Sequence, residues 1–243
     1  MVGRVLTVLE TFHSQGPQLS LSEIVEACSI PKASAFRILE TLRACGYLTR
    51  NPGERYRMTY KLLDVAMVVH AKNPLRRVAL PYLEQLHKTF GETVNLGVRQ
   101  EDYVVYVEIL ECRRRCSLVP LVGSHAPIHA SALGKAIGAW LPQEELRQLI
   151  SRTGLRRFTN STITTEDALR DELACTRERG YAIDQAEEEP GSYCVAVPIY
   201  RPRNQLVCAI SVSAPIDRMS GERVARFGQI LTVASREITA QLS

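Results

Sequence analysis

The chain has 243 residues, 45% of them hydrophobic and 23% charged, with a formal net charge of +4. That balance excludes a wholly disordered chain, and the length suits a small domain joined to a medium one. No run reaches the roughly 18 apolar residues that cross a bilayer, and "MVGRVLTVLETFHSQG" has helical spacing rather than a signal peptide's apolar block, so a cytoplasmic protein without membrane contact is expected. Seven scattered cysteines, odd in number, fit reduced thiols better than a disulfide framework.

In the first helix Val2, Val5, Leu6, Leu9 and Phe12 form the apolar stripe, and Gly16-Pro17 ends it. The second begins at "SLSE", where Ser20 and Glu23 have capping-box spacing, and buries Leu21, Ile24, Val25 and Cys28. After "SIP", with Pro31 at the first helical position, a third helix places Ala35, Ile38, Leu39, Leu42 and Cys45 inward and closes at Gly46. At about 100° per residue, Ser34, Arg37 and Thr41 share a different, polar side. Two helices joined by so short a turn have helix-turn-helix spacing, in which the second presents its amino-terminal half to the major groove.

"YLTRNPGERYRM" then reads as a hairpin turning at Asn51-Pro52-Gly53, a wing with arginines near its tip. A lone polar helix face is usually just solvated, but a capped helix, tight turn, second helix and basic hairpin in this order favour DNA. Charge agrees: eight Lys/Arg face five acids in residues 1–61, and phosphate contacts need clustered cations. Lys32, Ser34, Arg37 and Thr41 are the groove candidates, and Arg50, Arg55 and Arg57 the backbone candidates, Arg55 being expected to add about one unit to the salt dependence of binding. Double-stranded operator DNA is the expected partner.

"YKLLDVAMVVHAKN" is apolar around most of its circumference, suiting a linker helix that packs on several sides or on a second copy. Beyond Asn73-Pro74 the patterns read helix 75–90, strands 93–100, 103–110 and 115–122, helices 131–141, 143–150 and 166–180, strands 192–200 and 205–213, and a last helix. Strands without crossover helices between them imply an antiparallel sheet in an α+β domain. Ser211 and Ser213 share one face, opposite Ile210 and Val212; Cys194 and Ala196 share another, opposite Val195 and Val197. Such faces line a cavity, or are solvated on an edge strand.

Four ordered blocks, "LSLSEIVEACSIPKASAFRILETLRACGYL", "IHASALGKAIGAWL", "GYAIDQAEEEPGSYCVAVPI" and "AISVSAP", make the whole chain resemble the IclR family of bacterial transcription regulators. The resemblance implies a winged helix-turn-helix domain (1–60), a helical linker (61–74) and a GAF-like effector and oligomerisation domain (75–243), assembled as a dimer or tetramer. It also implies effector contacts from the backbone at Ala132 and Leu133 and from Asp184, Cys194, Ser211 and Ser213. Amides at a helix start receive a carboxylate, and the hydroxyls and thiol complete the set. Asp184 would repel an anion unless it is protonated or accepts from a ligand hydroxyl, so an acid carrying a hydroxyl or keto oxygen is the expected ligand class. Leu118, Leu121 and Ala126 are candidate wall residues, which packing within the domain explains as well.

Cys112, Cys116, His125 and His129, in two pairs four residues apart, have the residue types of a zinc site, but the spacing is not a C-x-x-C knuckle and Arg113, Arg114 and Arg115 oppose a cation. No metal and no cofactor are expected. A thiol hydrolase built on Cys194 and Asp184 lacks any accompanying motif, so no enzyme is expected. The competing reading is a DNA-binding regulator whose second domain only oligomerises or binds metal. Repression and activation stay open.

Overall fold

The computed structural model describes residues 2–112, 120–201 and 205–242, the side chains at 201 and 205–207 excepted. The expected strand at 115–122 falls mostly on 113–119, and Cys116, Leu118, the arginines 113–115 and most of the basic turn 201–203 likewise lie outside the described residues. Two compact units divide the chain, residues 1–72 and 73–243.

The first unit holds helices α1 (Val2–Gln15), α2 (Leu21–Cys28), α3 (Lys32–Ala44) and α4 (Lys61–Ala71), and strands β1 (Gln18–Leu19), β2 (Leu48–Arg50) and β3 (Tyr56–Met58), ordered β1-β3-β2. Its core joins Val8 and Phe12 of α1, Ile24 of α2, Ile38, Leu39 and Leu42 of α3, and Leu48 and Tyr56 of the hairpin. The α1 stripe is rotated from the one expected: Val8, Thr11 and Phe12 are buried while Val2 and Leu6 are exposed, because α2 and α3 cover only one narrow side.

At α2 the capping box forms in full, with Ser20 Oγ accepting the Glu23 N–H and the Glu23 carboxylate accepting the Ser20 N–H. Pro31 sits one position earlier than expected: its φ of −57° suits the helix, but its ψ of 136° is extended, so it is the N-cap residue and α3 starts at Lys32. Ser29 makes the turn between the helices with a left-handed φ of 50°. No residue of α4 is buried, and Leu63, Val65, Val68 and Val69 are exposed.

The second unit carries α5 (Pro74–Phe90), β4 (Thr93–Gln100), β5 (Tyr103–Leu110), β6 (His125–Pro127), α6 (Ala132–Gly138), α7 (Gln143–Thr153), α8 (Glu166–Arg179), β7 (Ala182–Gln185), β8 (Ser192–Arg201), β9 (Gln205–Pro215), a 3-10 turn (Ile216–Arg218) and α9 (Gly221–Gln241). Its sheet is ordered β6-β5-β4-β9-β8-β7 with every pairing antiparallel. The short strands β6 and β7 escaped the sequence patterns, being only three and four residues long.

Alternation gives the sheet two different faces. Val94, Leu96, Val195, Val197, Ile210 and Val212 pack on α5 and α9, whose Leu83, Leu231 and Ile238 are completely buried. Each such side chain contributes about 1.5–3 kcal/mol by leaving water. Small residues on the opposite face, Ala182, Ala196 and Ala209, let α6 lie close through Leu133, Ala136 and Ile137. Gly97 belongs to the same seat, since a Cβ there would lie 2.9 Å from Leu133 Cδ1. Gly134 is tighter still: a Cβ would fall 2.5 Å from Ile128 Cα and also overlap the Pro127 carbonyl.

Candidate DNA-binding and effector sites

On α3 the apolar stripe fixes the rotation of the helix. Ala35, Ile38, Leu39 and Leu42 are buried, leaving Lys32, Arg37 and Thr41 exposed and Ser34 half-buried. The Thr41 hydroxyl donates to the Arg37 carbonyl (2.8 Å) one turn before it. Phe36, which the sequence reading passed over, is 44% exposed on the same helix. Its signal was available: an aromatic off the buried stripe.

The three wing arginines fare differently. Arg55 is drawn inward, donating to the Gln18 carbonyl (2.8 Å) and pairing with Glu23 (2.9 Å), the acid that caps α2. Glu23 is held down to about 2 by its hydrogen bonds to Ser20 and then to Arg55. Arg50 pairs with Glu54 across the turn (2.5 Å) and lies over the Tyr56 ring. Tyr56 in turn donates to Glu40 of α3 (3.2 Å), so hairpin and helix are tied together. Arg57 is exposed on β3.

In the second unit, the polar end of the α6-side sheet face is built by register. One row runs Thr93, Ser213, Cys194, Asp184 across β4, β9, β8 and β7; the next runs Asn95, Ser211, Ala196, Ala182. Four expected effector contacts, Asp184, Cys194, Ser211 and Ser213, are therefore neighbours on one surface. Ala132 and Leu133, both buried, open α6, with Ser131 Oγ accepting the Gly134 N–H (2.9 Å). The amides of Ala132 and Leu133 belong to the first turn, which has no partners inside its own helix.

Asn95 was missed from the sequence. Its Nδ2 lies 3.1 Å from both Ser211 Oγ and Ser213 Oγ, and it is 1% exposed. Strand alternation placed it on the serine face, but only the pairing register made it their partner. Leu121 is exposed instead of forming a wall, because it stands in the turn before β6, whereas Ala126 is buried beside Val104.

Burial sets the electrostatics. Asp184 is pushed up to about 7 by burial, against the Glu187 N–H that Oδ1 accepts (2.7 Å) and with the Glu187 charge adding to the rise. Glu188 rises to about 8 through burial and then the charge on Asp184. Burial pushes the Cys194 thiol up to about 12, with Asp184 adding to it, the reverse of what a nucleophile needs. Tyr106, raised by burial and then by Glu188, belongs to the same cluster. The turn that carries these acids is anchored from outside: buried Lys135 of α6 pairs with Glu187 (2.5 Å) and Glu172 (3.5 Å), while Thr162 donates to the Glu187 carbonyl (2.6 Å).

Among the described residues no group of three or more His, Cys, Asp or Glu could hold a metal ion. Cys112 Sγ donates to the Gly91 carbonyl (3.0 Å), His125 stacks on Tyr103 at 4.0 Å, and His129 bonds the Arg156 carbonyl (2.9 Å). Nor, among the described residues, is any helix long and apolar enough to cross a membrane.

A helix-turn-helix unit with an exposed basic helix, followed by an α+β unit with a curled antiparallel sheet, defines a DNA-binding transcription regulator rather than an enzyme. Residues 1–52 match the IclR helix-turn-helix domain and residues 67–240 the bacterial transcriptional regulator IclR C-terminal domain. The chain belongs to the IclR family. It is 32% identical to the transcriptional regulator XynR of Escherichia coli over 242 residues, 99% of this chain and 96% of XynR. With the transcriptional repressor AllR of Escherichia coli it shares 31% over 241 residues, 98% of this chain and 89% of AllR. Among solved structures, an IclR homolog from Microbacterium hydrocarbonoxydans complexed with 4-hydroxybenzoate superposes with a TM-score of 0.84 at 28% identity, covering 99% of this chain and 98% of that one.

Proposed function

We propose that this regulator responds to a small organic acid bound on the polar sheet face of the second unit. The observation that carries the reading is the row of Asp184, Cys194, Ser213 and the adjoining Ser211 and Asn95, polar groups that a domain serving only as an oligomerisation block would have no reason to bury together. Ala132 and Leu133 offer backbone amides to the acid's carboxylate. Asp184 near pH 7 holds a proton for part of the population, so it tolerates an anion and donates to it, or accepts from a ligand hydroxyl. That a relative binds 4-hydroxybenzoate, a hydroxy acid, supports the same ligand class here.

Operator DNA is contacted by Lys32, Ser34, Arg37 and Thr41 in the major groove and by Arg50, Arg55 and Arg57 on the backbone, Arg55 requiring release from Glu23. The exposed apolar helix α4 supports self-association as a dimer or tetramer in the cytoplasm, with residues 61–74 linking an operator-binding part to the effector part. The effector changes operator affinity only by binding the two states unequally.

A thermal-shift screen of the full chain against small organic acids, 4-hydroxybenzoate included, tests the proposal. Ligand at 100 times its dissociation constant stabilises by about 2.7 kcal/mol. Ser211→Ala with Ser213→Ala should keep operator binding and lose both the shift and the response. A double variant that responds at the wild-type concentration places the site elsewhere, and no shift from any acid favours a purely oligomerising domain.

A further inference from the structure

Asn95 is an amide with both its donor hydrogens committed and its oxygen left over. Nδ2 donates to Ser211 Oγ and Ser213 Oγ at 3.1 Å each, while the buried Oδ1 has no partner. The reverse amide orientation would leave two buried N–H donors open in place of one oxygen, the costlier arrangement. A serine hydroxyl has one hydrogen and two lone pairs, and each lone pair taken by Asn95 turns that hydrogen away from Asn95. Ser213 also reaches the Cys194 thiol, a weak acceptor that a ligand oxygen displaces.

From this we infer that Asn95 is a positioning residue of the effector site: it orients Ser211 and Ser213 as donors, so the ligand presents acceptor oxygens to them, as a carboxylate or keto group does and an ammonium does not. The inference rests on the serine pair being the effector site. The carboxylate then lies between the first amides of α6 and the hydroxyls of β9, which leaves the ligand's own hydroxyl to the carboxyl of Asp184 in the same row. Selection against a donor-only group follows, since an ammonium would leave both serine hydrogens without an acceptor.

The test is a mutant cycle read on ligand affinity, using the full chain with 4-hydroxybenzoate and pyruvate as probes in calorimetric titration. Asn95→Ala is expected to weaken the responding probe about tenfold, and in a Ser211→Ala or Ser213→Ala background that loss should shrink to about threefold, because only one hydroxyl remains to be oriented. Asn95→Leu, which fills the amide's volume, should repeat the pattern if Asn95→Ala folds poorly. An equal loss in every background, or none in any, overturns the positioning role while leaving the site in place. Wild-type protein that binds neither probe nor any acid of the thermal-shift screen overturns the acid-binding assignment itself, and the role of Asn95 with it.

Discussion

Replacing Asp184 with Asn removes a titration while keeping the acceptor for the Glu187 N–H. In the folded chain the carboxyl is raised from 3.8 to about 7, chiefly by burial. A raised acid binds its proton more tightly when folded, so its ionisation opposes folding: the penalty is absent below about pH 4, grows between 4 and 7, and is constant above. At about 1.4 kcal/mol per unit, its full size above pH 7 is about 4 kcal/mol. The new amide hydrogens find no prepared partner, which returns about 1–3 kcal/mol of that. At pH 5 the penalty removed, about 2 kcal/mol, roughly cancels that cost, so Asp184→Asn should be close to wild type in stability at pH 5 and more stable than it, by about 1–3 kcal/mol, at pH 8. The assay is urea unfolding followed at pH 5, 6, 7 and 8. Glu187, Glu188, Lys135, Cys194 and Tyr106 surround the carboxyl; Glu188, Cys194 and Tyr106 are raised in part by its charge, so loss of that charge relaxes their shifts and reinforces the gain at high pH. Stability profiles of the two proteins that run parallel across this range would refute the reasoning, because they require an Asp184 that titrates as in the unfolded chain.

Arg37→Ala should weaken operator binding by about 1–3 kcal/mol and relax sequence preference at the bases it meets; unchanged affinity in an electrophoretic shift assay removes Arg37 from the groove. Arg57→Ala and Arg55→Ala should each lower the slope of log affinity against log salt by about one, Arg55→Ala with the smaller loss of affinity because its phosphate contact first requires release from Glu23 and Gln18; an unchanged slope removes the arginine from the backbone. Gly134→Ala should destabilise the chain by about 2–4 kcal/mol in denaturant unfolding, since its Cβ meets the backbone of Pro127 and Ile128, which have no slack to give; a loss below about 0.5 kcal/mol would mean α6 has a looser seat.

Local signals carried much of the architecture. Ser20 and Glu23 set the start of α2 because both halves of a capping box lie within one turn, and Asn73 followed by Pro74 set the start of α5 by the same short-range chemistry. The alternation along β8 and β9 was equally legible, since a strand's two faces are decided by parity alone. It put Ser211, Ser213 and Cys194 on their faces before any partner was known.

What parity does not determine is which strand lies beside which, or in what register. Asn95 stands 116 residues from Ser211 in the chain, and only the β4–β9 pairing makes them neighbours. Rotation of α1 was likewise beyond its own sequence: Val2 and Leu6 are as apolar as Val8, and the position of α2 and α3 alone decided which of them is buried. Arg55 reads as a cation at a wing tip, yet Glu23, contributed by another element, takes its charge. Protonation follows the same division. The acids of "DQAEEEP" are visible in the sequence, but their ionisation depends on desolvation and on mutual distance, quantities that exist only once β7 and α6 have closed around them.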